Sequence, residues 1–142
     1  MFYSPNKGKT WEVYNTPIIQ GKSTTGIYSC DFYNTKLGVV YGGDYTKPDD
    51  HTANKAITTD GGKTWSLLNG VDSPGYKSCV RFVPKSGGQE VIALGFTGIH
   101  LSNDQGKSWK KISDSSFYTI RFIDDQTAIA AGKHSIAKLS FK

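Results

Sequence analysis

One eight-residue phrase occurs three times in this chain, and each copy ends in a tryptophan. The copies are Ser4–Trp11, Thr58–Trp65 and Ser102–Trp109, and their common form is Ser/Thr-x-Asp/Asn-x-Gly-Lys-Thr/Ser-Trp. A phrase that recurs at intervals of about 40–50 residues is typical of repeat folds, in which each copy belongs to one structural unit. Because the copies contain every tryptophan of the chain, these side chains are expected to belong to the scaffold.

The chemistry of the phrase is that of a hairpin turn. The carboxylate at its third position, such as that of Asp60, can accept hydrogen bonds from backbone N–H groups further along the turn. A glycine such as Gly62 provides a backbone conformation that other residues resist, and the closing tryptophan buries a large area. A structural role is therefore predicted for Ser4, Asn6, Gly8, Trp11, Thr58, Asp60, Gly62, Trp65, Ser102, Asp104, Gly106 and Trp109.

Short strands fill the stretches between the copies. These stretches are apolar or alternating runs bounded by turn-forming residues, and none has a convincing helical period. The predicted strands are Ile27–Tyr33, Gly38–Gly43, Asn54–Thr59, Trp65–Asn69, Tyr76–Pro84, Glu90–Phe96, Gly98–Asn103, Trp109–Ser113, Phe117–Asp124, Thr127–Gly132 and Ser135–Phe141. Four strands per repeat is the blade pattern of a β-propeller. The sequence therefore predicts an all-β propeller fragment with about three four-stranded antiparallel blades.

The predicted blades do not close a ring. Residues 1–15 would end one blade, 27–69 and 76–113 would be complete blades, and 117–142 an incomplete last blade, whereas propellers usually have about four to eight. Either the chain is the C-terminal part of a larger propeller, or it pairs with a second copy. In the second case strand Trp11–Tyr14 would complete the last blade, in its own ring or in a partner's. Both alternatives leave apolar faces on the terminal blades, so self-association is expected.

The three phrases and the strands around them resemble Asp-box repeats, also called bacterial neuraminidase repeats. Such repeats recur in sialidases, in sortilin-type receptors and in photosystem II stability/assembly factor-like proteins. The resemblance covers nearly the whole chain. It implies that each box lies on the turn between the third and fourth strands of a blade, far from any active site. By this fold-level analogy, Asp60 and Asp104 are structural residues and not catalytic ones.

The charge distribution gives no signature of nucleic-acid binding. The net charge is +5, but Arg81 and Arg121 are the only arginines and the lysines are dispersed. Nucleic-acid-binding proteins usually cluster arginines with aromatic residues on one face, so no nucleic-acid partner is predicted. The apolar runs are too short for membrane insertion, and the first residues do not form a signal peptide. If the parent protein is secreted or periplasmic, its signal is expected upstream.

Cys30 and Cys79 are the only cysteines, and both lie in strand-like runs. Buried free thiols are the simpler interpretation, although a bridge between them stays open because pairing cannot be deduced from sequence. The chain has no Cys-x-x-Cys motif and no cluster of histidines, so no metal is predicted. It has no phosphate loop or dinucleotide fingerprint either, and no cofactor is predicted.

A long connection marks the first candidate binding site. The segment from Gly43 to Thr58 is about twice as long as its equivalents in the next two blades, with the insertion at roughly Tyr45–Ala53. The preceding connection, Asn15–Gly26, is also long, and both are expected on the face opposite the Asp-box turns. Insertions on one face of a repeat protein often mark its binding face; the alternative is an ordinary solvated loop. Ligand contacts are predicted for Lys22, Tyr45, Asp49, Asp50, His51 and Tyr76.

Three charged residues mark the second candidate site. Asp31, Arg81 and Arg121 occupy one equivalent position on the first, innermost strand of each blade. Charges near the axis are usually paired, so an Asp31–Arg81 ion pair is the simpler interpretation. The alternative is a small anion-recognising cluster at the channel mouth. The assembly-factor-like relatives carry an arginine-rich patch in a comparable region, which two arginines match only in part. The phenylalanines that follow the three charges are expected to pack between blades: Phe32, Phe82 and Phe122.

A catalytic function fits the sequence poorly. Sialidases grip a substrate carboxylate with three arginines and use a Tyr/Glu nucleophile pair, whereas this chain has two arginines, and its only glutamates are Glu12 and Glu90. A general glycosidase needs two carboxylates roughly 5–10 Å apart, and nothing in the sequence indicates that Asp49 and either Asp31 or Asp44 have that geometry. A non-catalytic scaffold that binds protein or carbohydrate is therefore expected. The alternative is part of a sialidase-like glycoside hydrolase.

Overall fold

The computed structural model describes residues 1–70 and 72–141, and within them the chain forms β-strands and no helix. Each predicted strand is present, with its ends shifted by a few residues at most, so the all-β prediction is confirmed. The strands are β1 (Phe2–Tyr3), β2 (Glu12–Val13), β3 (Thr25–Phe32), β4 (Gly38–Asp44), β5 (Lys55–Thr58), β6 (Ser66–Leu67), β7 (Cys79–Phe82), β8 (Val91–Gly95), β9 (Gly98–Ser102), β10 (Lys110–Ser113), β11 (Thr119–Phe122), β12 (Thr127–Gly132) and β13 (Ser135–Ser140).

The strands form antiparallel sheets in which neighbours in sequence are neighbours in space. The first sheet has the order β3-β4-β5-β6, the second β7-β8-β9-β10 and the third β11-β12-β13, while β1 and β2 form a separate hairpin. This up-and-down meander is the blade pattern of a propeller. The first strands contact one another, β3 against β7 and β7 against β11. They are therefore the inner strands, and the predicted propeller-fragment fold is confirmed.

Apolar side chains hold the sheets face to face. Between the first and second sheets, the Tyr41 and Trp109 rings meet edge to face with centroids 5.7 Å apart. Val39, Val80 and Val91 are fully buried beside them. Each fully buried side chain of this size contributes about 1.5–3 kcal/mol to folding. An equivalent cluster between the second and third sheets includes Cys79, Ile92, Leu94, Ile99, Phe117, Ile120, Ala128 and Ala130.

The three Asp-box turns share one hydrogen-bond pattern. In the second box the Gly62 N–H donates to Thr58 Oγ1 at 2.9 Å, and the Thr64 N–H and hydroxyl donate to the Asp60 carboxylate at 3.0 and 2.6 Å. Corresponding bonds in the third box involve Ser102, Asp104, Gly106 and Ser108. The first box has the same backbone bonds to Ser4 and Asn6, but there the Asn6 amide donates to the Thr10 hydroxyl at 2.9 Å. The second and third turns lie where β5 and β9, the third strands of their sheets, end, and the first turn joins β1 to β2.

Each box requires its glycine because of the backbone conformation of the turn. Gly8, Gly62 and Gly106 have φ angles of 84°, 88° and 86°, which residues with a side chain rarely adopt. A Cβ at Gly106 would also lie 3.3 Å from the ring of Trp109, which covers the turn. The indole N–H of Trp109 donates to the Gly106 carbonyl at 2.9 Å and fixes the ring there.

The three box tryptophans have the same position in the repeat but different burial. Trp109 is 6% exposed because it packs against Tyr41 of the preceding sheet. Trp65 is half-buried beside Ile18, which belongs to the connection before β3. Trp11 is 61% exposed. The burial of each tryptophan therefore depends on which neighbouring residues pack against its ring, and not on the turn, which recurs in all three copies.

Two residues expected to be buried are exposed. Cys30 is exposed and Phe32 is 39% exposed. Because they are two residues apart on β3, both side chains lie on the same face of the strand, which points away from the second sheet. Phe32 packs edge to face on Trp65 of its own sheet. Cys79 is buried as expected, and Phe82 is buried against Tyr33 of the first sheet. Both thiols are free.

The first hairpin does not complete the last sheet. β2 pairs with β1, with Val13 opposite Phe2, and β13 pairs with β12 alone in the described part of the chain. Completion of the last blade by Trp11–Tyr14 within the same chain is therefore wrong for this structure. No helix of the described residues is long and apolar enough to cross a membrane.

The contribution of the second box to the unfolding free energy should depend on pH, because Asp60 is ionised in the folded state. The hydrogen bonds that Asp60 accepts, first of all from the Thr64 hydroxyl, hold the pKa of its carboxyl well below its usual value. A folded-state pKa below the unfolded value stabilises the fold above about pH 4 and loses that effect as the pH falls. We expect Asp60→Asn to lower the unfolding free energy at pH 7, with a difference from wild type that shrinks towards about pH 2.

Urea denaturation at several pH values measures this difference. The first box offers a matched control because it carries Asn6 in the equivalent place. Asn6→Asp should add a contribution that is lost in acid. A pH-independent difference between Asp60→Asn and wild type would contradict the account.

Candidate binding sites

Side chains join the inner strands of the first and second sheets. The Ser29 hydroxyl accepts a hydrogen bond from the Val80 N–H at 3.1 Å, and Asp31 Oδ2 accepts one from the Phe82 N–H at 2.8 Å. Both N–H groups lie on the edge of β7 opposite its partner β8. Because unpaired backbone N–H groups are costly to bury, these two side chains replace the strand that would pair with β7 in a continuous sheet.

Asp31 and Arg81 form an ion pair within this seam. Arg81 Nη1 lies 3.6 Å from Asp31 Oδ1, with the arginine side chain 15% exposed and the aspartate side chain 27% exposed. Burial raises the pKa of Asp31, while the Phe82 N–H and the charge of Arg81 act in the opposite direction. Arg81 Nη1 also donates to the carbonyls of Cys30 and Val80 at 2.9 and 3.1 Å. The pair thus has a structural part in holding β3 against β7.

A cavity of about 520 Å³ opens where the three inner strands meet, and it brings together Asp31, Arg81 and Arg121. We call it the inner-strand cavity. Arg121 is exposed and forms no ion pair with any described residue. Arg81 Nε is buried in the described structure without a hydrogen-bond partner. The remaining lining residues are Phe32, Tyr33, Phe82, Pro84, Lys85 and Phe122.

The inner-strand cavity combines a free guanidinium with aromatic walls. A guanidinium presents a planar fork of donors that matches a carboxylate, so Arg121 can hold an acidic group. The rings of Phe82 and Phe122 can contact an apolar group beside it. Lys85 also lines the cavity, but its ammonium is paired with Asp125 at 2.6 Å. The arrangement is suited to an extended segment that carries an acidic and an apolar side chain.

The insertion forms an aromatic cluster at the opposite end of the sheets. The Tyr45 and Tyr76 rings have centroids 6.4 Å apart, and Tyr28 contacts both at 6.2 and 5.0 Å. Burial raises the pKa of Tyr76 to about 12. Lys22 lies near the cluster, where its charge adds to the hydrogen bond from Thr46 in lowering the pKa of Asp44.

The other insertion residues do not join this cluster. Asp50 accepts the Thr52 N–H at 2.9 Å and therefore holds a turn, while His51 is exposed. The insertion packs along residues 74–76, since the Tyr76 N–H donates to the Pro48 carbonyl at 2.9 Å. Asp49 follows Pro48 and lines a different cavity. The six predicted contacts therefore divide among separate surroundings and do not form one site.

That second cavity, of about 580 Å³, is a feature that the sequence analysis did not predict. We call it the rim cavity, and its lining residues are Pro48, Asp49, Asp72, Ser73, Pro74, Gly75, Lys77, Thr97, His100, Trp109, Lys110 and Lys111. The sequence feature that points to this cavity is Lys77, a charged residue within the predicted strand Tyr76–Pro84. No group of three His, Cys, Asp or Glu side chains among the described residues could hold a metal ion.

Comparisons with known proteins agree with this description. The BNR/Asp-box repeat model matches residues 56–67, and the sequence matches no curated protein. Among solved structures, YCF48 bound to D1 peptide matches with a TM-score of 0.64 and 19% identity, covering 89% of this chain and 44% of that chain. YCF48 from Cyanidioschyzon merolae matches with a TM-score of 0.57 and 17% identity, covering 92% and 41%. An ancestral GH74 enzyme matches with a TM-score of 0.65 and 16% identity, covering 97% and 19%.

These matches establish the repeat and the fold. The chain contains a BNR/Asp-box repeat, as the sequence analysis predicted, and its fold is similar to that of YCF48 and of an ancestral GH74 enzyme. The chain spans less than half the length of each of these three solved structures. At identities below 20%, the similarity concerns the fold and leaves the activity to be argued from the sites.

Removal of the Asp31 carboxylate should weaken the seam. In Asp31→Ala the Phe82 N–H and the Arg81 guanidinium both lose a partner, so we expect a loss of about 2 kcal/mol or more in unfolding free energy. Asp31→Asn keeps an acceptor for the N–H and should lose less. Chemical denaturation measures both. The control is Asp114→Ala, because Asp114 is paired only with Lys111 on the surface and should change stability by less than about 1 kcal/mol. Equal losses in Asp31→Ala and Asp114→Ala would contradict this role.

Proposed function

We propose that this chain is a non-catalytic Asp-box propeller scaffold that binds a protein segment in the inner-strand cavity. The observation that carries the proposal is Arg121, an exposed and unpaired guanidinium beside Phe82 and Phe122 in a cavity of about 520 Å³. An acidic side chain of the partner would bind Arg121, and an apolar neighbour would contact the rings. The similarity to YCF48 bound to D1 peptide supports a protein partner in general.

Carbohydrate is the second ligand class for the same scaffold, and it has less support. The walls of the inner-strand cavity present two guanidiniums and one carboxylate, that of Asp31, among the described residues. That carboxylate is engaged with the Phe82 N–H and with Arg81. A neutral sugar would therefore meet few free acceptors, whereas an acidic peptide meets a free donor fork in Arg121.

The enzymatic alternative is part of a sialidase-like glycoside hydrolase. The similarity to an ancestral GH74 enzyme concerns the fold alone. Within the described residues, Asp31 and Asp49 line different cavities, so they do not form the carboxylate pair that glycoside hydrolysis uses. The scaffold is thus the better-supported proposal.

Self-association belongs to the same proposal. It is supported by large apolar side chains that are exposed on the first hairpin and on the last sheet. These are Phe2 at 70%, Trp11 at 61%, Val13 at 64%, Ile123 at 65% and Ile136 at 76% exposure. Exposed apolar side chains of this size favour contact with another sheet face, which a second copy of the chain can supply.

Peptide selection tests the proposal. Short random peptides displayed on phage are selected on the purified chain, and the affinity of the selected peptides is measured by fluorescence anisotropy. We expect sequences in which an acidic residue neighbours an apolar one, and a loss of affinity of about tenfold or more in Arg121→Ala, because a charge-assisted hydrogen bond is removed. Lys133→Ala, an exposed lysine outside the cavity, is the matched control and should bind as wild type does.

Several results would contradict the proposal. Selection of no peptide, or equal affinity in Arg121→Ala and wild type, would exclude this site. A glycan that binds in an Arg121-dependent manner would favour carbohydrate instead. Hydrolysis of a fluorogenic sialoside that is lost in Asp31→Asn would favour the enzyme. Light scattering on the same samples measures the oligomeric state. A measured mass equal to that of one chain at every concentration would contradict self-association.

A further inference from the structure

Lys77, which lines the rim cavity, is a buried cation without an ion-pair partner among the described residues. Its side chain is fully buried, and its ammonium donates to Thr97 Oγ1 at 2.6 Å and to the Gly98 carbonyl at 3.2 Å. No carboxylate of the described residues lies within ion-pair distance of it. Lysine is almost never fully buried unless it is paired. The ammonium therefore has a third donor that no described residue accepts.

The comparison with Lys55 shows that burial alone does not create such a site. Lys55 is buried to the same degree, but its ammonium lies 5.3 Å from the centre of the Tyr41 ring and donates to Asn54 Oδ1 at 2.8 Å. An aromatic face stabilises a cation. Lys77 has no such ring, and it lines a cavity that Lys55 does not.

Two further buried polar atoms line the same cavity without partners. Ser73 Oγ and His100 Nδ1 form no hydrogen bond, and they are two of the three such side-chain atoms in the described residues. Buried polar atoms are nearly always bonded, so each exception needs a cause. The three residues Ser73, Lys77 and His100 belong to different connections and strands, yet all three line the same cavity.

The charged side chains around the rim cavity nearly balance, so the attraction for a negative ligand comes from the buried Lys77 ammonium. Burial, and then the nearby Lys77 and Lys111, lower the pKa of His100 to about 4, so the imidazole is neutral at pH 7. Burial, and then the charge of Lys111, lower the pKa of Lys77 to about 8, which leaves the ammonium mostly charged at pH 7. Lys110 adds a positive charge, while Asp49 and Asp72 add negative charges at the rim and Lys111 is paired with Asp114.

Apolar walls complete the rim cavity. Pro48, Pro74 and Trp109 line it beside the charged residues. A volume of about 580 Å³ is within the range of sites that hold small organic molecules, which usually combine apolar walls with a few convergent polar groups. A cavity with this volume and lining is suited to a molecule larger than an inorganic ion, with an apolar part as well as a charge.

We propose that the rim cavity binds a small organic molecule through an oxyanion group, a carboxylate or a phosphate, held by the Lys77 ammonium and the Ser73 hydroxyl. The apolar part of the molecule lies against Trp109. This site is separate from the inner-strand cavity, so it does not depend on the function proposed above.

An NMR titration with three aryl probes tests the site. The probes are benzoate, phenyl phosphate and the neutral benzyl alcohol. Benzoate or phenyl phosphate should shift the amide resonances of Ser73, Lys77 and Thr97 and the indole N–H of Trp109, while benzyl alcohol should bind at least tenfold more weakly. The stronger of the two anions distinguishes a carboxylate site from a phosphate site.

Matched variants test whether the Lys77 ammonium is the group that binds the anion. Lys77→Met keeps the volume and removes the ammonium, so affinity for the anion should fall at least tenfold. Lys63→Met, at an exposed lysine of the second Asp box, should leave it unchanged. If Lys77→Met fails to fold, Ser73→Ala replaces it in the test and should weaken binding severalfold. Absence of shifts, equal binding of benzyl alcohol and the anions, or unchanged affinity in the folded Lys77→Met or in Ser73→Ala would overturn the proposal.

Discussion

The contact between β3 and β7 is the interaction on which the structure depends. Successive blades cannot share a continuous hydrogen-bond ladder, because each sheet starts anew at its inner strand. The side chains of Ser29 and Asp31 join the two sheets at this point, because they accept hydrogen bonds from the Val80 and Phe82 N–H groups of the next inner strand. That contact sets the distance at which the sheets stack. Tyr41 and Trp109 can then fill the space between them.

The same contact explains why the two cavities differ. Near the inner strands, the seam brings charged side chains at one repeat position into one cavity, and it leaves Arg121 free because the seam uses Asp31 for Arg81. At the rim, the space between the blades depends on the long connections, which bring Pro48 and Ser73 against strands of the second sheet. The inner-strand cavity thus results from equivalent positions of the repeated blades, and the rim cavity results from the long connections, which differ between blades.

The sequence was sufficient for the features that repeat. The Asp-box spacing predicted the hairpins, and the strand periodicity predicted the inner position of Asp31, Arg81 and Arg121. It could not predict features that depend on neighbouring faces. Phe32 is exposed because no sheet of the described chain stacks on its side of β3, although its equivalent Phe82 is buried. The path of the insertion depends on packing against residues 74–76, and the burial of Lys77 follows from that path.

Crosslinking across the seam tests the central claim most directly. Ser29 Oγ lies 3.9 Å from Cys79 Sγ, so Ser29→Cys in a Cys30→Ser background places two thiols on adjacent inner strands. Mild oxidation of the folded chain should join them within one molecule, as peptide mass mapping would show, since thiols this close can reach disulfide geometry with small adjustments. A control variant with Thr35→Cys in the same background should not crosslink to Cys79. Failure of the Ser29→Cys chain to crosslink while folded, or crosslinking that occurs only between molecules, would contradict the stacking of β3 and β7 as consecutive inner strands.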